Sequence, residues 1–231
     1  MKKLFLICLL IYLANSANSQ AVLLDVDVSK DTIIKKVGPN LRHFHHVFMG
    51  YGFVADKSEA GAEINYGKST FFEFGYRYKL KVCKFYAIGT DLSWVSTTYN
   101  LKQNSFKVLP DTVLNEKEKL SFSSFNLGIY NRINYGRRGN HVGNFIDFGA
   151  YGQANVNLVH FTKNKMSNGS IQEVFNKRLK YYEPFTWGLH GRIGFNRYIF
   201  TGQYRMGNIL KGSSSYPELP RLIVGFQIGF Y

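Results

Sequence analysis

Three histidines lie close together in the segment RHFHH, residues 42–46. If this segment is extended, His43 and His45 share one face of a strand and His46 lies on the other. At most two imidazoles then converge, and a tetrahedral zinc site lacks its remaining ligands. The spacing therefore predicts no metal site and no bound cofactor, and it indicates the beginning of a strand.

A second group of residues, Asp91, Ser93 and His190, could in principle form a hydrolytic site. Catalysis by a serine nucleophile requires a histidine within hydrogen-bonding reach and a third group that orients the histidine. The segments around Ser93 and His190 are far apart in the chain, and the sequence gives no register between them. We therefore expect no catalytic residues, with a hydrolase kept as the alternative.

The first residues have the organisation of an export signal. MKKLFLICLLIYLANSANSQ combines a basic start with an apolar run from Leu4 to Leu13 and small residues at Ala17 and Ser19. The apolar run is shorter than the roughly 20 residues of a membrane-spanning helix, so it predicts a cleaved signal peptide over residues 1–19. We expect residues 20–40 to form a periplasmic N-terminal extension and residues 41–231 to form the folded domain.

Apolar and polar residues alternate with a period of two along most of this domain, which is typical of strands with two unlike faces. Phe72, Phe74 and Tyr76, for example, alternate with Glu73 and Arg77. Similar segments predict eight strands, near residues 43–54, 70–82, 86–94, 120–135, 146–158, 185–195, 198–206 and 222–230. The predicted fold class is therefore all-β.

One of these segments changes phase. Leu120 and Phe122 do not alternate in register with Phe125, Leu127 and Ile129. An extra residue near Ser123 or Ser124, a β-bulge, would return all five apolar residues to one face.

The connections between the predicted strands alternate between short and long. KVCKF, Asn196–Arg197 and GRRGNHVG are short, whereas the others are long and polar. An even strand count with short turns on one rim and long loops on the other is typical of an outer-membrane barrel. We expect an eight-stranded antiparallel up-and-down transmembrane β-barrel, with short periplasmic turns and long extracellular loops, in the outer membrane of a Gram-negative bacterium.

Alternation alone does not say which face points inward, and a lipocalin-like barrel, apolar inside, is the soluble alternative. Glycine and charged residues share one face, which suits a narrow interior filled by side chains. Because buried charges are costly unless they are paired, we expect a charge network that closes the interior, which disfavours a pore. Its predicted members are Glu73, Arg77, Asp91, Arg132, Asp147, His190, Arg192 and Arg205.

Residues 41–231 resemble the small eight-stranded outer-membrane barrels of the OmpA/OmpX type, and more narrowly the PorT-like barrel proteins of Bacteroidota. The resemblance rests on the signal ending ANSQ, the Tyr, Asn and Lys richness, the loop asymmetry and the stretch GFQIGF. That stretch is similar to the signal read by the barrel-assembly machinery, with Gly225, Ile228, Phe230 and Tyr231 as its residues, although Tyr231 comes one residue late. The resemblance implies a structural or accessory subunit of a secretion or surface-protein machinery, type IX secretion among them, with other outer-membrane or periplasmic proteins as partners. Lipid A acylases and deacylases, also small barrels, are the enzymatic alternative.

The chain is strongly basic, with 29 Lys+Arg against 15 Asp+Glu. An exported protein is not expected to bind nucleic acid, so the predicted partner of a basic loop rim is lipopolysaccharide, through its phosphates. A rim that is merely solvated is the alternative. The basic loop residues considered are Lys102, Lys107, Lys163, Lys165, Lys177 and Arg178.

Overall fold

A computed structural model of the chain describes residues 38–136, 139, 141–167, 169–177, 179, 181–211 and 216–231. The predicted signal peptide and residues 20–37 of the predicted extension lie outside the described residues. The described end of the extension contacts the folded domain, because the Pro39 carbonyl accepts a hydrogen bond of 2.5 Å from Lys79 Nζ.

Nine strands form one antiparallel sheet. The strands are β1 His43–Val54, β2 Thr70–Lys81, β3 Tyr86–Leu101, β4 Lys117–Tyr135, β5 Asn144–Lys165, β6 Ile171–Asn176, β7 Phe185–Phe195, β8 Tyr198–Arg205 and β9 Leu222–Phe230. Eight of them pair in a ring, in the order β1-β2-β3-β4-β5-β7-β8-β9, and β9 returns to β1. The ninth, β6, pairs only with the last residues of β5, inside a connection that the sequence predicted to be a loop.

Alternation gives the ring two unlike faces. In β2, Glu73 and Arg77 are 2% and 0% exposed, whereas Phe74 and Tyr76 are 50% and 48% exposed. The charged side chains therefore point into the ring and the aromatic side chains point out of it. No described helix is long and apolar enough to cross a lipid bilayer.

Short turns join β2 to β3 over residues 82–85 and β7 to β8 over residues 196–197, and β4 ends and β5 begins at the same rim of the ring. The tightest turn has Asn196 in the left-handed region at φ 57°, which asparagine tolerates well. The long connections lie at the opposite rim. One of them contains a short 3-10 helix, Tyr66–Lys68, whose Asn65 donates its backbone N–H to the Asn100 carbonyl of β3.

The prediction that a bulge in β4 returns its apolar residues to one face was wrong. Burial alternates without a break through β4, so Leu120 and Phe122 point into the ring and Phe125 points out. The pairing register does shift between Ser123 and Ser124, but the extra residue is Val156 of β5, between the partners Asn155 and Asn157.

The reason for the phase change is an apolar cluster inside the long-loop end of the ring, which we call the distal core. Long connections fold inward and contribute to it together with the ends of several strands. Its buried residues are Val54, Ala62, Ile64, Tyr99, Leu101, Leu109, Leu120, Phe122, Leu158, Ile209, Leu210 and Leu219. A smaller apolar cluster of Val142, Phe145 and Ile199, with Phe44 and Tyr231 packed against it, lies at the short-turn end.

Candidate functional site: the buried charge network

Between these two apolar clusters, arginine, carboxyl and neutral polar side chains fill the ring. Arg132 and Asp147 lie opposite each other on the neighbouring strands β4 and β5. Arg132 Nε and Nη2 donate to the two carboxylate oxygens of Asp147 at 2.7 and 2.8 Å. Both side chains are at most 1% exposed. This is a bidentate pair, the strongest form of arginine–carboxylate contact.

A second carboxylate joins strands that are not neighbours. Asp91 of β3 accepts a hydrogen bond of 2.7 Å from Arg192 Nη2 of β7, across the interior. The Nε atom of Arg77, on the adjacent strand β2, lies 3.5 Å from the same carboxylate. Arg192 also approaches Asp147, with 3.9 Å between Nη1 and Oδ2. The ion pairs therefore form one connected network across the ring.

Glu73 is held differently, by neutral partners. Its carboxylate accepts hydrogen bonds from Ser93 Oγ at 2.7 Å, Gln227 Nε2 at 2.7 Å and Gln203 Nε2 at 3.3 Å. Gln227 in turn accepts a hydrogen bond of 3.0 Å from Arg77 Nη2. The sequence indicated no role for Gln227, because the register that brings it to Glu73 is long-range.

Aromatic rings and glycines complete the packing around the arginines. The Arg132 guanidinium lies 3.5 Å from the centre of the Phe145 ring, and that of Arg77 lies 4.1 Å from the Phe48 ring. Tyr130 reaches across to donate a hydrogen bond of 3.0 Å to the Tyr78 carbonyl. A Cβ at Gly89 would overlap the Tyr130 hydroxyl, so glycine is needed there to make room for the ring.

The histidine and serine residues considered for chemistry do not come together. Ser93 donates to Glu73, and His190 Nε2 has no hydrogen-bond partner among the protein atoms described. Their strands, β3 and β7, are not paired in the ring. Near the start of β1, His43 contacts the Tyr78 hydroxyl at 2.7 Å whereas His46 is buried inside the ring. In the described part of the chain no cluster of three His, Cys, Asp or Glu residues could hold a metal ion.

Arg205 was predicted to belong to the network but lies apart from it. It forms an ion pair of 2.7 Å with Glu218, and also donates to the carbonyls of Gly207 and Leu219 at 2.7 and 2.9 Å. Glu218 follows β8 in a connection that looked like a solvated loop, so its composition gave no signal of this pairing. The contact ties the last long connection to the inner wall of the ring.

One predicted rim residue, Lys107, is buried rather than solvated. Its Nζ lies 2.6 Å from the Glu118 carboxylate, which His160 Nε2 also contacts at 2.7 Å. Burial of Glu118 opposes ionisation, but the hydrogen bonds from His160 and Lys107 outweigh it, so the pKa of its carboxyl lies below the ordinary value. Lys107 therefore anchors the connection over residues 102–116.

The other basic loop residues have different positions. Lys102, Lys165 and Lys177 are exposed, and Lys163 is partly exposed and pairs with Glu173 at 3.0 Å. Arg178 lies outside the described residues.

The residues of the predicted assembly signal do not share one face. Three of them, Gly225, Ile228 and Phe230, lie in β9, and Tyr231 follows its last residue. Phe230 points outward and is 50% exposed, whereas a Cβ at Gly225 would meet the Tyr51 carbonyl of β1. Ile228 pairs with Met49 and Tyr198 of the strands on either side. The Tyr231 ring turns into the short-turn end of the ring, in edge-to-face contact with Phe44 and His46.

An inner cavity bounded by Phe71, Tyr151 and Arg205 has a volume of about 10 Å³, close to that needed for a single water. No model of a known protein family matches the chain, and no curated protein matches it significantly. The ion pairs and hydrogen bonds of this interior join strands that are not neighbours in the ring.

Proposed function

We propose that this protein is an outer-membrane β-barrel with a side-chain-plugged lumen, acting as a non-enzymatic structural or accessory subunit of a secretion or surface-protein machinery. The observation that carries the proposal is the inverted arrangement of the ring, with ion pairs inside and apolar side chains outside. A soluble lipocalin-like barrel would have the opposite arrangement.

The outer surface supports a lipid environment. Large apolar side chains that are 40% to 64% exposed surround the ring, and soluble monomers rarely expose contiguous apolar patches larger than a few hundred Å². These side chains include Phe74, Leu92, Trp94, Phe125, Leu127, Ile129, Phe148, Trp187, Leu189, Ile193, Phe200, Val224 and Phe230.

Aromatic residues also occur near both ends of this apolar surface. Tyr135 and Tyr198 lie at the short-turn ends of their strands, whereas Trp187 and Tyr204 lie near the long-loop ends. Aromatic girdles at both interfaces are typical of transmembrane barrels. In this orientation the short turns face the periplasm and the long loops face the outside of the cell.

The closed interior supports a role that needs no passage or catalysis. An eight-stranded barrel is just wide enough for its side chains to fill, and the distal core adds an apolar seal above the charge network. Surfaces of the barrel, rather than its lumen, then carry the function. The resemblance to OmpA/OmpX-type and PorT-like barrels favours an accessory role with other outer-membrane or periplasmic secretion proteins.

Electrophoresis before and after boiling tests the architecture. Folded in detergent or lipid, the protein should migrate differently unboiled and boiled, because the hydrogen-bonded ring resists dodecyl sulfate until it is heated. A protein that shows no such shift and stays soluble without detergent would contradict the proposal and favour the soluble barrel.

Affinity purification from chemically cross-linked membranes tests the accessory role. A secretion or surface-protein component should co-purify with the protein in its folded, heat-shifting form. Recovery of the folded barrel alone, together with unchanged secretion in a deletion strain, would contradict that role and leave the architecture intact.

A further inference from the structure

The long-loop rim contains an open polar cavity that is separate from the buried charge network. Its volume is about 480 Å³, within the range of small-molecule sites. Three separate segments each contribute a lysine to its lining. Lys68 comes from the 3-10 helix, Lys117 begins β4, and Lys163 lies near the end of β5.

The cavity is built on fixed backbone. Asn100 Nδ2 donates a hydrogen bond of 2.5 Å to the Lys68 carbonyl, which holds the 3-10 helix against β3. On the opposite wall, Gln103 Nε2 donates to the Glu118 carboxylate at 3.0 Å. Lys117 and Lys163 are direct partners in the β4–β5 register. The backbone that carries these lysines is therefore held by the Asn100 hydrogen bond and by strand pairing.

Three lysines and two glutamates, Glu116 and Glu118, line the cavity, and part of this charge is already paired. Glu118 lines the cavity but is already paired with Lys107 and His160. Neither Lys68 nor Lys117 has an ion-pair partner in the part of the chain that the structure describes. Like charges directly opposite each other in a sheet, as at Lys117 and Lys163, are destabilising, and Glu173 compensates only Lys163, at 3.0 Å. An anion in the cavity would offset the charges of Lys68 and Lys117.

Neighbouring residues extend the basic surface on the outer face of the sheet. Lys119 lies next to Lys117 on this face, and its pKa is lowered by burial and by the charge of Lys117. The Lys119 Nζ lies 5.6 Å from the centre of the Phe161 ring, which packs on Phe175 at 4.8 Å. A ligand with anionic groups and apolar ring faces, such as a phosphorylated sugar, matches this combination.

The distance between the cavity and the last outward apolar residue of β4 favours a lipid with a long polar part. On β4, outward side chains change from Phe125, the last apolar one, to Ser123, Ser121 and then Lys119, so Lys119 lies about 20 Å along the strand from Phe125. With the usual strand tilt this is about 15 Å along the barrel axis. A phospholipid head group adds only about 6 Å to each side of the hydrocarbon core. The phosphorylated oligosaccharide of a glycolipid extends further.

We infer that the cavity of Lys68, Lys117 and Lys163 binds a phosphate group on the oligosaccharide of lipopolysaccharide. This inference rests on the proposed orientation of the barrel in the outer membrane. Of the predicted basic loop residues only Lys163 lines this cavity, whereas Lys68 and Lys117 were not among them and Lys107 is buried.

The test compares two double variants of the protein folded in an uncharged detergent. Lys68→Gln with Lys117→Gln removes two cavity lysines that have no ion-pair partner among the described residues. Lys57→Gln with Lys177→Gln removes the same charge from exposed positions that do not line the cavity. Binding of fluorescent lipopolysaccharide is measured by anisotropy, with dephosphorylated lipopolysaccharide and phosphatidylglycerol micelles as comparison ligands.

We expect the cavity variant to bind lipopolysaccharide about thirtyfold more weakly, at about fivefold for each lysine facing an anionic surface. The control variant should bind within about twofold of the unaltered protein. The inference would be overturned by any of three results. The control variant could lose as much affinity for lipopolysaccharide as the cavity variant, or the unaltered protein could bind dephosphorylated lipopolysaccharide as tightly as the phosphorylated form. The cavity variant could also lose as much affinity for phosphatidylglycerol as for lipopolysaccharide.

The heat-dependent gel shift of the same samples separates this inference from the proposed function. A normal shift with unchanged binding in the cavity variant refutes the phosphate site and leaves the barrel proposal intact. The opposite result is also distinguishable. If only the cavity variant loses phosphate-dependent binding but the protein shows no heat-dependent gel shift, the phosphate site is supported and the membrane barrel is contradicted.

Discussion

Breaking the buried ion pair between Arg132 and Asp147 should destabilise the protein far more than removing the whole pair. Both side chains are at most 1% exposed, and two hydrogen bonds of 2.7 and 2.8 Å join them. In Arg132→Met or Asp147→Leu, one charge stays in the interior without its main partner. Such single changes cost about 3 to 5 kcal/mol, whereas replacing both partners with apolar residues is often nearly neutral.

The free energy of unfolding can be measured by urea titration of the protein in phospholipid vesicles, with the folded fraction read from the heat-dependent gel shift. At a slope of about 2 kcal/mol per molar urea, each single change should lower the midpoint by about 2 M. The double variant should recover most of that loss. Arg192 lies 3.9 Å from Asp147, so Arg132→Met should be the milder of the two single changes.

The exposed ion pair between Lys163 and Glu173 provides the matched control. Its atoms are 3.0 Å apart, but its side chains are 30% and 43% exposed. Glu173→Gln should therefore change stability by less than about 1 kcal/mol. If Arg132→Met and Asp147→Leu cost no more than this control, or if their double variant loses the sum of both, the buried network does not hold the ring together as described.

Three further outcomes follow from the contacts. Glu73→Gln should destabilise the protein less than Asp147→Leu in the same urea titration, since its partners Ser93, Gln203 and Gln227 are neutral and no cation is left unpaired; an equal loss would contradict this. The pKa of the Glu118 carboxyl is lowered in the folded protein, so its stabilising contribution is present above the ordinary value of 4.5 and is lost as the pH falls through the folded pKa. Protease cleavage within residues 102–116 should therefore increase in acid. The variant Glu118→Gln should be cleaved at a rate that does not depend on pH in this way. Replacing the hairpin of β6 by a short turn should leave the heat-dependent gel shift intact, because β6 pairs only with the end of β5; loss of the shift would show that β6 supports the ring.

The sequence predicts the two faces of the ring well where a strand keeps one environment along its length. In β2 the alternation of Phe74 and Tyr76 with Glu73 and Arg77 matches the outward and inward faces of the structure. The prediction from alternation fails at Leu120 of β4, because the inner surface of the ring changes there from charged to apolar. A period of two reports that the faces differ, but not that the apolar face changes sides along the strand.

Long-range partners could not be read from the sequence. The strand β6 has no buried residue, so no alternation marks it, and it forms by pairing with the extended end of β5. Gln227 meets Arg77 from a strand far away in the chain, and Glu218 meets Arg205 across a connection. Lys107 looked like a solvated loop residue, although the fold buries it against Glu118. In each case the residue type was visible but the register that decides its partner was not.

The most direct test of the proposed architecture is a spin-label scan along β4 in lipid bilayers. Single cysteines would be placed from Leu127 to Ile133 in a Cys83→Ser background, which removes the free cysteine of the described chain. We expect labels at Leu127, Ile129 and Ile133 to collide with oxygen dissolved in the lipid and to be shielded from a water-soluble relaxation agent. Labels at the intervening inward positions should be shielded from both. Outward labels that are accessible to the water-soluble agent would contradict a barrel with ion pairs inside and lipid outside.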